Sequence, residues 1–176
     1  MITLITGGCR SGKSAFAQEQ AEQTDAPCLF IATCSRTDPE MAARIRRHQE
    51  DREGRGWQTA EVPLLLAEKL EDLPIGTTVL IDCLTLWVNN LMYETEQHDR
   101  EITEDQLTVL AEELGRAARN HLGEVILVTN EVGMGIVPEN PAARHYRDLI
   151  GRSNQIIAAF ADQVFLVSCG IPVQIK

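Results

Sequence analysis

The chain has 176 residues, a length that suits one domain, residues 1–176, with one substantial core. Its apolar fraction of 44% and charged fraction of 24% are those of an ordinary globular protein. The net charge of −10 argues against a general nucleic-acid binder, which must neutralise phosphates with a basic surface. A nucleotide ligand stays open, because a few backbone amides and one or two cations hold a triphosphate locally.

The five cysteines, Cys9, Cys28, Cys34, Cys83 and Cys169, are odd in number and show no C-x-x-C spacing. Neither a disulfide framework nor a zinc site is expected, and the thiols read as small hydrophobes. The N-terminus opens directly into an apolar run without a basic leader, so no signal peptide is expected. No apolar run approaches the ~20 residues that a membrane-spanning helix needs, and the cytoplasm is the expected location.

Met1 to Thr6 (MITLIT) ends at glycines and predicts a buried strand. Residues 13 to 23 predict a helix with Phe16, Ala17 and Ala21 on one face, and Ala26 to Thr33 a second strand. Asp38-Pro39 predicts a helix start, Asp as N-cap and Pro at the first position. That helix runs to about Arg52, with Met41, Ile45 and His48 on one face. Gly54 to Gly56 breaks it, and Trp57 to Val62 reads as a short strand before a helix through Leu65, Leu66, Lys69 and Leu70.

Thr77 to Asp82 (TTVLID) is a buried strand with Asp82 at its end, followed by a helix over 84–93 and a polar surface loop, Glu94 to Glu101. Leu107, Leu110, Ala111, Leu114, Ala117 and Ala118 mark an amphipathic helix, and Glu124 to Thr129 the next strand. A Gly/Pro-punctuated loop, Asn130 to Pro138, leads into a helix that starts at Asn140-Pro141 and continues over 151–161. Gln163 to Ser168 and Ile171 to Lys176 read as a terminal hairpin turning at Gly170-Ile171-Pro172. Nearly all-apolar strands alternating with helices predict an α/β, P-loop NTPase-like (RecA-like) fold. Its mostly parallel sheet would carry helices on both faces and a C-terminal β-hairpin.

Gly7-Gly8-Cys9-Arg10-Ser11-Gly12-Lys13-Ser14 matches G-x-x-x-x-G-K-[ST] in full, with a strand before it and a helix after. The glycines let the backbone close around phosphates, and the helix N-terminus aims unpaired amides and a positive dipole end at them. In that pattern Lys13 bridges the β- and γ-phosphates, and the Ser14 hydroxyl ligates Mg2+. An apolar strand ending in Asp82 sits where a second Mg2+ ligand is expected, although the same carboxylate could cap the helix at Cys83-Leu84. These residues imply nucleotide binding without naming a reaction. A signalling GTPase lacks support, because Thr129-Asn130-Glu131-Val132 has neither the Lys nor the Asp of an N-K-x-D guanine reader. A small-metabolite or nucleoside kinase and a non-catalytic nucleotide sensor both stay open.

Three further strings narrow the choice: Met41-Ala42-Ala43-Arg44-Ile45-Arg46-Arg47-His48, Trp57-Gln58-Thr59-Ala60-Glu61, and Thr129 to Pro138 (TNEVGMGIVP). With GGCRSGKS, they make the chain resemble the bifunctional adenosylcobinamide kinase / adenosylcobinamide-phosphate guanylyltransferase family of cobalamin biosynthesis. The resemblance runs from residue 2 to the C-terminal Val173-Gln174-Ile175-Lys176. It implies two reactions. Adenosylcobinamide is phosphorylated at the expense of ATP or GTP; GMP then passes from GTP to the new phosphate, giving adenosyl-GDP-cobinamide and pyrophosphate. It further implies a covalent guanylyl-histidine at His48, and nucleotide contacts from Ala32, Thr33, Cys34, Gln49, Glu50, Asp51, Arg52, Glu61 and Asp82. Some members carry Glu where this chain has Asp82, whose reach to the metal is shorter. The family is known as a trimer. An unprotonated imidazole, with a pKa of ~6.5 in the absence of perturbation, is a competent nucleophile toward phosphorus near pH 7. Arg44, Arg47 and Arg52 lie within about one helical turn of His48, close enough to cover departing pyrophosphate.

Overall fold

The computed structural model describes residues 1–34, 52 and 54–176. The expected helix from Asp38-Pro39, and with it His48 and Gln49 to Asp51, lies outside the described residues. Among the described residues seven strands form one sheet: β1 (Ile2–Gly7), β2 (Cys28–Ala32), β3 (Gln58–Glu61), β4 (Thr78–Asp82), β5 (Val125–Val128), β6 (Gln163–Ser168) and β7 (Ile171–Gln174). Their spatial order is β3-β2-β4-β5-β1-β6-β7, parallel throughout except for the antiparallel β6–β7 pair.

The period-2 alternation of side chains splits each central strand between two cores. Ile2 and Leu4 of β1, Val79 and Ile81 of β4, and Val125 and Leu127 of β5 point to one face. There they meet α2 (Leu66–Glu71), α3 (Leu84–Glu96), α4 (Glu104–Asn120) and α5 (Pro141–Phe160) through Leu70, Trp87, Leu114 and Ile157. Ile5, Phe30, Leu80, Ile126 and Val128 point to the other face, against Ala17 and Ala21 of α1 (Lys13–Glu22). Double-sided burial is why these strands read as continuous apolar runs.

Helix ends follow local chemistry. Thr103 and Gln106 close a capping box at the start of α4, and the Asn140 side chain accepts from Ala143 N at the start of α5, with Pro141 beside it. Lys176 donates from Nζ to the carbonyls of Ala158 (2.9 Å) and Ala161, covering the C-terminal end of α5.

Two local expectations need correction. Glu94–Glu96 belongs to α3 and not to a loop. The Thr95 hydroxyl bonds back to the carbonyls of Leu91 and Met92, and Glu94 faces His98 one turn on, so the polar run keeps its helical pairing. The terminal hairpin turns at Cys169-Gly170, whose φ values of 53° and 80° suit a two-residue turn. Ile171 and Pro172 are therefore strand residues, and proline is tolerated because β7 is an edge. Among the described residues no disulfide joins the cysteines; Cys83 is buried in the α1-side core, while Cys9 and Cys169 are exposed.

Gly115, in the middle of α4, gives a stability prediction. A Cβ there would lie 2.4 Å from Cδ2 and 2.6 Å from Cγ of Phe160 on α5. Helix propensity alone favours alanine by ~1 kcal/mol, whereas forcing a methyl into a filled contact costs ~1–3 kcal/mol. Gly115→Ala is expected to lower unfolding stability by about 1 kcal/mol. A denaturant midpoint that rises in this variant would show that the α4–α5 contact yields.

Candidate active site

The phosphate loop follows directly from β1 and is built from unusual backbone. Arg10 and Gly12 adopt φ of 57° and 95°, and Gly12 is the N-cap of α1. Gly7 is fixed by close approach: a Cβ there would lie 2.4 Å from the Val167 carbonyl oxygen on β6. At Gly8 a Cβ would meet nothing within 4 Å, so no close approach demands a glycine there. The β6–β7 turn braces the loop from behind, with Gly170 N donating to Ser11 O at 2.8 Å. Lys13 is 8% exposed and folds back so that Nζ donates to Gly8 O at 3.0 Å. The side-chain oxygen of Ser11 is buried without a hydrogen-bond partner.

The loop opens at the C-terminal edge of the sheet, where ligands of such sheets bind. Strand register assembles the other residues along that edge. Ala32 pairs laterally with Glu61 on β3 and with Asp82 on β4, so the three form one row across adjacent strands. Ala32 belongs to the α1-side core, and lateral partners share a face, so Glu61 and Asp82 point to the side that carries the phosphate loop. Arg52, also buried, lays its guanidinium 3.6 Å from the Phe30 ring centroid on that same face. Asp82 does not cap α3: Cys83 is the N-cap, and no side-chain bond closes it. The alternative use of that carboxylate is thereby removed.

Thr33 and Cys34 follow β2 at the same edge. The Thr33 hydroxyl donates to Cys83 O and accepts from Cys83 N, both at 2.8 Å, and Asn90 donates to Thr33 O at 2.7 Å. Thr33 is thus a fully buried tie between β2 and the end of β4. Burial pushes the Cys83 thiol up to about 11, the Asp82 charge adding to it and Thr85, Leu86 and Lys13 opposing. Cys83 therefore stays a neutral thiol at ordinary pH.

Reasoning from sequence understated one group of residues. Because β5 lies between β1 and β4, its C-terminal continuation, Thr129, Asn130 and Glu131, sits between the phosphate loop and Asp82. Asn130 donates to the Thr85 hydroxyl at 2.8 Å, and Glu131 N donates to Gly7 O at 3.1 Å. Asn154 of α5 ties all three down, and nothing in its local sequence marks it for that task. The loop beyond is exposed and apolar at Met134, Ile136 and Val137. It is held from below by Arg147 donating to Gly133 O and Ile136 O, and by Arg144 donating to Pro138 O. Gly133 and Gly135 have neither positive φ nor a crowded Cβ position, so no tight turn demands them.

Comparison with known proteins decides the family. The family model described as cobinamide kinase / cobinamide phosphate guanyltransferase matches residues 3–175. The chain belongs to this family. Similar proteins include the bifunctional adenosylcobalamin biosynthesis protein CobU of Salmonella typhimurium, 45% identical over the whole of both chains. The protein of the same name in Escherichia coli is 41% identical, again over both full lengths. The Pseudomonas aeruginosa relative, named CobP, is 37% identical over 100% of this chain and 98% of its own. A solved ATPase from the type III secretion system of pathogenic bacteria superposes with a TM-score of 0.59 at 11% identity. It covers 98% of this chain and 56% of that one, and shows the P-loop fold alone. Like the other family members, this chain is an enzyme, and the α/β, P-loop fold expected from the strand pattern is the one observed. No described helix is long and apolar enough to cross a membrane.

Proposed function

We propose that the chain performs two consecutive reactions on one triphosphate cradle: phosphorylation of adenosylcobinamide by ATP or GTP, then GMP transfer from GTP to adenosylcobinamide phosphate. The observation that carries this reading is a phosphate loop sharing one sheet edge with Ala32, Glu61, Arg52 and Asp82, in a chain whose family match spans residues 3–175.

The loop amides from Gly8 to Gly12 other than Ser11 N, with those at the start of α1, receive the phosphates, and Lys13 exchanges its bond to Gly8 O for the β- and γ-phosphate oxygens. Ala32, Cys34, Gln49, Glu50, Asp51, Arg52 and Glu61 supply the remaining nucleotide contacts, and the buried Thr33 acts through the strand ends it ties together. Two oxygen donors, Ser14 and Asp82, suit Mg2+, which keeps waters and phosphate oxygens and seldom takes a full protein cage. When bound, the ion supplies charge neutralisation to the triphosphate. Asp82→Asn is expected to raise the Mg2+ needed for half-maximal activity about tenfold, the loss of one charge-assisted contact, with the unfolding midpoint unmoved. An unchanged Mg2+ titration would separate Asp82 from the metal.

In the second reaction the His48 imidazole attacks the α-phosphorus of GTP. An N–P bond forms, the bond to the α–β bridging oxygen breaks, and pyrophosphate leaves. A phosphate oxygen of adenosylcobinamide phosphate then attacks the same phosphorus; the N–P bond breaks and adenosyl-GDP-cobinamide forms. The corrinoid lies against the exposed apolar loop at Met134, Ile136 and Val137, beside the phosphate edge. The enzyme acts in the cytoplasm as one domain per chain and assembles as a homotrimer. The test is incubation with α-labelled GTP and Mg2+. Acid-labile, alkali-stable label on the protein is expected. A metabolite kinase with no covalent step, or a nucleotide sensor, would take up none.

A further inference from the structure

A carboxylate clamp lies between the phosphate loop and Asp82. Glu131 Oε1 accepts two hydrogen bonds, from the Thr6 hydroxyl at 3.1 Å and from Asn154 Nδ2 at 3.3 Å. Among the described residues Oε2 accepts none. The backbone on either side is fixed as well. Glu131 N donates to Gly7 O, Asn154 Nδ2 also reaches Asn130 O at 3.2 Å, and Thr129 Oγ1 donates to Asn154 Oδ1 at 2.7 Å. One amide side chain on α5 therefore grips three successive residues at the end of β5. It anchors one oxygen of a half-exposed carboxylate that stands between the phosphate loop and the end of β4. The anchoring is more than packing requires, since Gly7, the partner of the Glu131 backbone, opens the phosphate loop itself.

We infer that Glu131 is the general base of the kinase step, and Asn154 the residue that positions it. The inference rests on the two-reaction reading above. The acceptor hydroxyl gives its proton to Oε2 of Glu131 as its oxygen attacks the γ-phosphorus. The bond from that phosphorus to the β–γ bridging oxygen breaks, the nucleoside diphosphate leaves, and the proton passes from Glu131 to solvent. A carboxylate so placed meets the geometric demand on a base: it is near the transferring phosphoryl group, with its rotamer set by neighbours. The two reactions differ in their need for it. An alcohol must lose its proton, whereas a phosphate monoester, with a second pKa of ~6, is already ionised at neutral pH.

The experiment measures kinase turnover on adenosylcobinamide and GMP transfer to supplied adenosylcobinamide phosphate in one preparation, for wild type, Glu131→Gln, Glu131→Asp and Asn154→Leu. Glu131→Gln is expected to lower the kinase-to-transferase ratio about 100-fold, the lower end of general-base effects. Glu131→Asp restores part of it. In Asn154→Leu the carboxylate loses one anchor, so the kinase kcat is expected to fall about tenfold at an unchanged KM for adenosylcobinamide, with GMP transfer largely retained. A ratio that stays constant in Glu131→Gln, whether both activities fall or neither does, overturns the inference; a metal-ligand or structural role would give that result. A kinase kcat that holds in Asn154→Leu, or a KM that rises in its place, overturns the positioning role. A wild-type protein unable to phosphorylate adenosylcobinamide overturns the two-reaction reading, and the inference with it.

Discussion

Lys13→Ala is expected to abolish phosphoryl transfer and GMP transfer together. Its ammonium folds back over the phosphate loop, and the bond to Gly8 O holds it near the place a triphosphate would occupy. Removing such a preorganised contact to developing phosphate charge costs on the order of 10²–10³ in rate for one donor, and more where the group is charged. The loop itself should survive the change. Gly170 N still holds Ser11 O, Ser11 N still holds Gly8 O, and the conformation of Arg10 and Gly12 does not depend on the lysine side chain. Unfolding measurements on the variant should therefore match wild type while both activities disappear. Near-normal GMP transfer by this variant would demand a second nucleotide site.

His48→Asn is expected to divide the two reactions. Asparagine keeps polarity and approximate size but has no nucleophilic ring nitrogen. Covalent label from GTP and GMP transfer should vanish, while direct phosphoryl transfer to the hydroxyl, which needs no protein nucleophile, persists in large part. The other histidines make weak rivals on structural grounds. His121 Nε2 pairs with Thr77 O at 2.7 Å, at the start of β4 and so at the end of the sheet away from the phosphate loop. His145 Nε2 pairs with Ile102 O at 2.8 Å, and His98 faces Glu94 on the surface of α3. Retention of label in His48→Asn, with loss in a His145 variant, would move the nucleophile and leave the phosphate loop assignment standing.

Local chemistry made much of this protein legible. Strands buried on both faces announce themselves as apolar runs, and β1, β4 and β5 end at Gly7, at Asp82 and just before Thr129, where glycine or polar residues take over. The phosphate loop is a contiguous string whose function depends on its own backbone, so eight residues suffice to read it. The A-R-I-x-x-H and T-N-E-V-G-x-G-I-V-P strings carried the family resemblance for the same reason: they are contiguous. Where local signals competed, the reading was weaker. The polar run at Glu94–Glu96 looked like a loop by composition, although helical side-chain pairing kept it in α3.

The sequence by itself determined most of the described elements, the phosphate loop and the family. Strand order was decided only by the tertiary structure, because parallel neighbours are chosen by crossover helices and two-sided packing, which no local window contains. That order inserts β5 between β1 and β4, and so sets Thr129 to Glu131 between the phosphate loop and Asp82. The clamp on Glu131 likewise depends on Thr6 and Asn154, which are 125 and 23 residues away along the chain. Asn154 within a long amphipathic helix carries no sign of its partners. Only the packing of α5 against the sheet brings its amide to the end of β5, where three successive residues offer it hydrogen bonds.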